Sequence, residues 1–189
     1  LGLEIPFVRR LDLARWRPLS QMIARGVNSP PTSSLGRLFD AVAALIGLRD
    51  VAQYEGQAAV ELEAVAADDG RGYPVELGVG APVALEAAPL VRAIVDDLRA
   101  GVPAPVIAGR FHRAVAEALA RTCAMARAAT GLEAVALSGG VFQNRRLLEL
   151  LWAMLEADGF RVYTNRQVPP NDGGLSLGQA AVAAARLSA

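Results

Sequence analysis

Apolar residues recur at helical spacing through most of this chain, and the places where that spacing breaks divide it into elements. Residues 11–25 form the first such stretch, with Pro18 predicting either a start near Arg17 or a kink there. The polar stretch 28–34 reads as a loop, and one of its hydroxyls can cap a helix that sets Leu38, Phe39, Val42, Leu45 and Ile46 on one face. Gly47 ends that helix. Residues 55–66 place Ala, Val and Leu around Glu61 and Glu63 as a further helix, closed by the turn-rich stretch 68–72. Two short β runs, 74–79 and 82–86, flank Gly80 as a hairpin, and helices follow at 89–100 and 105–130.

The last third changes character. The apolar run 134–137 ends in Ser138-Gly139-Gly140, just ahead of a helix carrying Leu147, Leu151, Met154 and Leu155. Gly159 caps that helix, and 160–163 is a second strand, so the whole reads as a βαβ unit with parallel strands. The loop 169–174 leads into a final helix whose Gly178, Ala181 and Ala185 share a side suited to close packing. The pattern therefore predicts an α/β protein in two parts: a helical segment over 1–72 and an α/β lobe over 73–189.

Composition narrows the functions this pattern can serve. Of 189 residues, 53% are hydrophobic and 20% charged, a globular balance. Nineteen basic residues cancel nineteen acidic ones, so no summed field draws the chain to nucleic acid or an anionic membrane. All nineteen are Arg, which excludes a P-loop lysine, a Schiff-base lysine and a lysine general base. The single cysteine, Cys123, cannot form an internal disulfide and reads as a buried thiol in a helix, which fits a reducing, cytoplasmic setting. There is no secretory signal and no apolar run near the roughly 18 residues of a membrane span. The chain starts at Leu1 and is read as a fragment or processed product.

Four places carry candidate chemistry. Ser138-Gly139-Gly140 sits where open α/β sheets bind ligands, and adjacent glycines let phosphate oxygens approach the backbone. A tight turn without a ligand is the alternative. Asp172, in the glycine-rich loop 169–174, either caps the last helix or faces the phosphate site, where a bridging cation would relieve repulsion. Asp40 either stabilises a helix start through the dipole or accepts hydrogen bonds from ribose hydroxyls. The same ambiguity holds for Glu55, Glu61 and Glu63. His112, the only histidine, supports neither a zinc site nor a catalytic triad without partners elsewhere, and reads as a structural or hydrogen-bonding residue, with a substrate contact as the alternative.

Long stretches carry a resemblance. Residues 32–43 (TSSLGRLFDAVA), 54–59 (YEGQAA), Phe111-His112, 137–145 (LSGGVFQNR) and 168–179 (VPPNDGGLSLGQ) resemble the C-terminal carbamoyltransferase region of HypF, a nickel–iron hydrogenase maturation family. Related O-carbamoyltransferases and Kae1-type proteins of tRNA threonylcarbamoyl transfer share the architecture more loosely. The resemblance implies an actin-like ATPase (ASKHA, RNase H-like) fold, this chain being mainly its second lobe with extra helices. It also implies transfer of a carbamoyl group from carbamoyl adenylate to the C-terminal cysteine of a HypE-like acceptor.

Carried onto matching positions, the resemblance assigns Ser138, Gly139, Gly140 and Asn144 to the nucleotide phosphate and Asp40 to ribose. Glu55 and Gly56 would border the nucleoside, with Glu61 as an alternative. Asp172 would be a metal ligand. The implied cofactors are ATP or carbamoyl adenylate and a divalent metal (iron, zinc or magnesium), whose remaining ligands are histidines of an HxxxH pattern that this chain lacks. No catalytic residue is assigned, and the isolated chain is expected to be inactive. The competing expectations are a non-catalytic docking module for HypE or for other domains of a longer protein, and a related O-carbamoyltransferase or tRNA threonylcarbamoyl-transfer protein.

Overall fold

The computed structural model describes residues 2–78, 80 and 82–187. The chain begins with a short helix α1 (Pro6–Arg10) and a longer one, α2 (Leu13–Arg25). The proline in α2 neither delays its start nor ends it. Asp12 caps the helix, its carboxylate accepting the Ala14 and Arg15 N–H groups, and α2 continues through Pro18. No residue of α2 is buried, so water can serve the carbonyl that Pro18 leaves without a donor.

Ser34 supplies the cap foreseen for α3 (Leu35–Leu45), accepting the Arg37 N–H at 3.4 Å. Phe39, Val42 and Ala43 are its buried stripe. The helix expected over 55–66 is shorter, α4 (Gln57–Val65), because Gly56 stands before it at φ +81°, a left-handed conformation no right-handed helix continues through. The hairpin is also reduced, to β1 (Glu76–Leu77) against β2 (Leu85–Glu86), antiparallel. Val79, in the first expected run, lies outside the described residues. Helix α5 (Ala87–Arg99) follows directly.

The 27-residue helix α6 (Ala104–Thr130) is the axis of the core. Ile107, Phe111, Val115 and Ala118 recur at i, i+4, i+8 and i+11 on its buried side, all fully inaccessible. Its Gly109 lies beneath the segment leaving α4: Ala67 N–H donates to the Pro105 carbonyl at 2.8 Å. A Cβ on Gly109 would come within 1.7 Å of the Ala67 oxygen.

Strand β3 (Ala134–Leu137) and strand β4 (Arg161–Thr164) pair in parallel, Ala134 opposite Arg161 and Leu137 opposite Thr164. The crossover between them is α7 (Arg145–Ala157), which buries Leu147, Leu151 and Leu155 against α6. This is the expected βαβ unit, with one difference. The glycine turn does not run straight into α7, because a 3-10 turn at Gly140–Gln143 intervenes and Asn144 caps the helix. The apolar cluster is continuous from Phe39 to Phe160, joining α3, α4, α6 and α7. Leu151, 1% exposed, is at its centre. Leu151→Ala is expected to cost about 3 kcal/mol, read as a lowered denaturant midpoint with unchanged slope.

The last helix, α8 (Leu175–Leu187), departs from expectation. Gly178, Ala181 and Ala185 pack closely on nothing among the described residues, and none of the helix is buried. Its chief contact is the short turn before it. Periodicity marks a face to be covered without naming the cover, and Leu175 and Val182 remain 59% and 53% exposed.

Candidate functional site

Two loops define the site. At the end of β3, Gly139 adopts φ 108° and ψ 154°, a conformation open in practice only to glycine. Its N–H donates to the Pro170 carbonyl at 2.8 Å, which binds the glycine turn to the loop following β4. Both loops therefore meet at one edge of the parallel pair, as their place after parallel strands demands. That bond also occupies the Gly139 N–H, so the backbone donor available to an anion here is the next one, on Gly140, at the first position of the 3-10 turn.

Beside these loops lies a cavity of about 500 Å³ whose walls come from four separate parts of the chain. Asp40 and Arg37 come from α3, Glu55, Gly56 and Glu63 from α4 and its approach, and Gly140, Gln143, Asn144 and Asp172 from the two loops. Six of the eight residues singled out from sequence thus share one cavity. Ser138 and Gly139 line a neighbouring cavity of about 640 Å³, with Asn165, Gln179 and Arg186. Asn171 and Asp172 belong to both.

The acidic residues differ in what they are free to do. Arg37 donates to the Asp40 carboxylate at 3.2 Å on an exposed helix surface, an easily exchanged pair. Glu61 is held by a fork from Arg49 at 2.5 and 2.9 Å and by Gln57 at 3.0 Å. The arginine lowers the Glu61 carboxyl's affinity for its proton. Glu61 does not line the cavity, whereas Glu63 does and accepts the Arg146 N–H at 3.0 Å. The spacing of α4 puts the two glutamates on different sides, which is why one is structural and the other faces the site.

Asp172 does not cap the last helix. Its neighbour Asn171 caps the 3-10 turn Asp172–Gly174 that precedes that helix, its side-chain oxygen accepting the Gly173 N–H at 3.0 Å. Among the described residues no hydrogen bond or ion pair reaches the exposed Asp172 carboxylate, so it is available to a ligand. One carboxylate fits a hard cation as a single ligand, and a cation of this kind takes several more. Among the described residues no group of three or more His, Cys, Asp or Glu is assembled to provide them.

Asn144 plays a part that its motif does not reveal. Its Oδ1 accepts the Leu147 N–H at 2.8 Å, starting α7, and its Nδ2 lies 3.0 Å from Nε2 of His112. His112 is wholly buried between Phe39 and Phe111, with ring centroids 5.2 and 5.9 Å away. Burial, opposed by the Ala108 carbonyl and aided by nearby Arg146, pushes its pKa down to about 4, so the ring is neutral at physiological pH. Cys123 is a half-buried thiol whose pKa burial raises, as suits an unreactive side chain. Residues that sequence reading missed at the cavity are Ser34, Arg37 and Gln143. All three lie in the stretches that carry the resemblance, and Ser34 also among the loop hydroxyls expected to cap α3.

A parallel βαβ unit whose two loops share a cavity with residues of α3 and α4 defines an α/β domain with a ligand-sized cavity at one edge of its sheet. Residues 4–179 match the family described as carbamoyltransferase, Kae1-like domain, second subdomain. The chain is 44% identical over 177 residues to carbamoyltransferase HypF of Rhodobacter capsulatus, covering 93% of this chain and 22% of that one. It is 40% identical to the HypF of Synechocystis, covering 85% and 20%. The chain belongs to the HypF carbamoyltransferase family, in its Kae1-like region. A full-length HypF, crystallised in a phosphate- and nucleotide-bound form, superposes with a TM-score of 0.93 at 40% identity over 97% of this chain and 24% of that one. The HypF of T. kodakarensis superposes at 0.80 with 29% identity over 96% and 24%. The chain thus spans about a fifth to a quarter of the length of these relatives. Among the described residues no helix is long and apolar enough to cross a membrane.

Proposed function

We propose that this chain is the nucleotide-facing second lobe of an actin-like fold, in a cytoplasmic enzyme that transfers a carbamoyl group from carbamoyl adenylate to a protein thiol. The observation that carries the reading is the cavity of about 500 Å³ that gathers Asp40, Glu55, Gly56, Gly140, Asn144 and Asp172 from four separate segments. The Asp40 and Glu55 carboxylates suit ribose hydroxyls, which donate to them, and the Gly140 turn suits a phosphate, which accepts from backbone N–H. A full-length HypF relative is described as phosphate- and nucleotide-bound, which supports a nucleotide as the class of ligand.

In this reading the acceptor cysteine, that of a HypE-like protein, attacks the carbamoyl carbon as thiolate. The C–S bond forms, the bond to the phosphate oxygen of AMP breaks, and that oxygen leaves with the electron pair. Asp40 and Glu55 hold the nucleoside, and Gly140 steadies the phosphate of the leaving group. Asp172 would supply one ligand to a divalent cation, iron, zinc or magnesium, which when bound provides positive charge beside that phosphate. Histidines outside this chain would supply the other ligands, so the isolated chain binds without completing transfer. ATP and carbamoyl phosphate enter upstream, as sources of the adenylate.

The test is made in full-length protein. Asp172→Ala is expected to lower transfer at least about a hundred-fold, and Gly139→Val, which forces a β-branched residue to φ 108°, to weaken adenylate binding about ten-fold or more. If both variants bind and transfer as well as the parent, this assignment is wrong. A second reading, a docking module for HypE or another domain, draws on the uncovered apolar side chains of α8. Capture of HypE by the chain together with no measurable nucleotide affinity favours that reading instead.

A further inference from the structure

His112 is chemically costly for what packing alone needs. Its surroundings are the rings of Phe39 and Phe111 and the small residues of α6, and an apolar side chain would fill the same space without two ring nitrogens to satisfy. Both nitrogens are satisfied, and the pattern leaves one assignment. The Ala108 carbonyl, 2.7 Å from Nδ1, can only accept, so Nδ1 carries the proton of the neutral ring. Nε2 is then bare and accepts from Asn144 Nδ2 at 3.0 Å, which turns Asn144 Oδ1 toward the Leu147 N–H. The amide of Asn144 has no freedom left to flip.

Asn144 is also where the glycine turn ends. Its backbone N–H donates to Val141 and its carbonyl accepts from Leu148, after Phe142 has bonded back to Gly139. The turn that carries Gly140 toward the cavity and the helix that backs it are therefore joined at a residue whose side chain is set from the core.

We infer that His112 is a positioning residue for the nucleotide site: through Asn144 it holds the 140–143 turn and the start of α7 in the orientation that an adenylate phosphate meets. The inference rests on the nucleotide reading above. His112 itself touches no ligand, being wholly buried and absent from the cavity wall. It acts by keeping a donor-bearing turn from having to reorganise when the ligand arrives.

The experiment measures AMP affinity of the full-length protein by calorimetry, with thermal unfolding as the check on folding. His112→Phe fills the volume without an acceptor, and His112→Gln can place an acceptor near the original Nε2. Affinity is expected to fall about ten-fold or more in His112→Phe and to return in large part in His112→Gln. Asn144→Asp approaches the same bond from the other side: it keeps the oxygen that caps α7, loses the Nδ2 donor, and is expected to weaken binding similarly. Because one bond is removed in each, the double variant should bind no worse than the weaker single one. Wild-type affinity in a folded His112→Phe overturns the inference. So does a His112→Gln as weak as His112→Phe, or additive losses in the double variant. Failure of the parent itself to bind AMP overturns the nucleotide reading along with it, whereas parental binding untouched by these changes overturns the positioning role alone.

Discussion

Gly109→Ala is expected to cost about 4 kcal/mol or more and, in a domain of ordinary stability, to leave little folded protein. The added methyl would stand 1.7 Å from the Ala67 carbonyl oxygen and 2.7 Å from its carbon. Both are backbone atoms, and the segment bearing them is tied to α6 by the Ala67 to Pro105 hydrogen bond at 2.8 Å, so it cannot withdraw without losing that bond. The same substitution at Gly178 makes the contrast. Nothing lies within 4 Å of a Cβ there, and replacing a helical glycine on an exposed helix is expected to raise stability by up to about 1 kcal/mol. Denaturant unfolding of the two variants beside the parent reads both signs. A Gly109→Ala loss below about 1 kcal/mol would show that the 66–68 segment yields and that the close approach is not a constraint.

The second large effect is on acid stability. With the folded-state pKa of His112 pushed down to about 4 from an ordinary 6.5, the unfolded chain binds the extra proton first as pH falls. Stability is therefore complete above pH 6.5, declines between 6.5 and 4, and loses nothing more from this residue below 4. At about 1.4 kcal/mol for each pH unit of difference, the loss amounts to about 3 kcal/mol. Protonation also turns Nε2 from acceptor to donor opposite the Asn144 amide, beside Arg146, so the cost is one of a broken bond as well as of a buried charge. The carboxyls of Asp68, lowered first by the Gly70 N–H and then by Arg113, and of Asp69, lowered first by Arg110, add their own losses at lower pH. The difference between parent and His112→Gln isolates the histidine. The variant's unfolding free energy should be flatter across pH 4 to 6.5, and identical slopes in the two proteins would contradict a depressed pKa.

Apart from the short α1, which the sequence reading did not foresee, the helices were legible because each is written in local chemistry. Phe39 and Val42 mark a buried stripe, Ser34 offers a cap, Gly47 a stop, and the run of apolar and small residues from 104 to 130 is long enough to be unambiguous. The parallel βαβ unit followed from the same logic, since a strand, a helix of this length and a second strand can return only one way. The ends were less legible. Gly56 could have been inside or outside α4, and only its left-handed backbone decides the matter.

The site divides along the same line. Ser138-Gly139-Gly140 and the loop 169–174 announced themselves through their glycines, and Asp40 and Glu55 through the family resemblance. Which of two adjacent polar residues caps a helix end and which stays free was not written locally. Asn171 and Asp172 are equally able to do it, and Asn171 takes the Gly173 N–H, leaving Asp172 to face both cavities. Glu61 and Glu63 are separated in the same way, by the presence of Arg49 near one and of the cavity near the other. Asn144 and His112, 32 positions apart, read as a phosphate contact and a buried ring, and their bond shows them to be one unit.

By itself, then, the sequence determined the order and kind of the elements, the parallel pairing, the two glycine loops and the family, because backbone conformation and amphipathic periodicity are local properties that a chain carries wherever it is placed. Only the tertiary structure decided the partners: which carboxylate is spent on an arginine, which amide is locked by a histidine, and that Gly109 must be glycine because another segment crosses it. Those outcomes depend on distances between groups far apart in the chain, and packing alone fixes such distances.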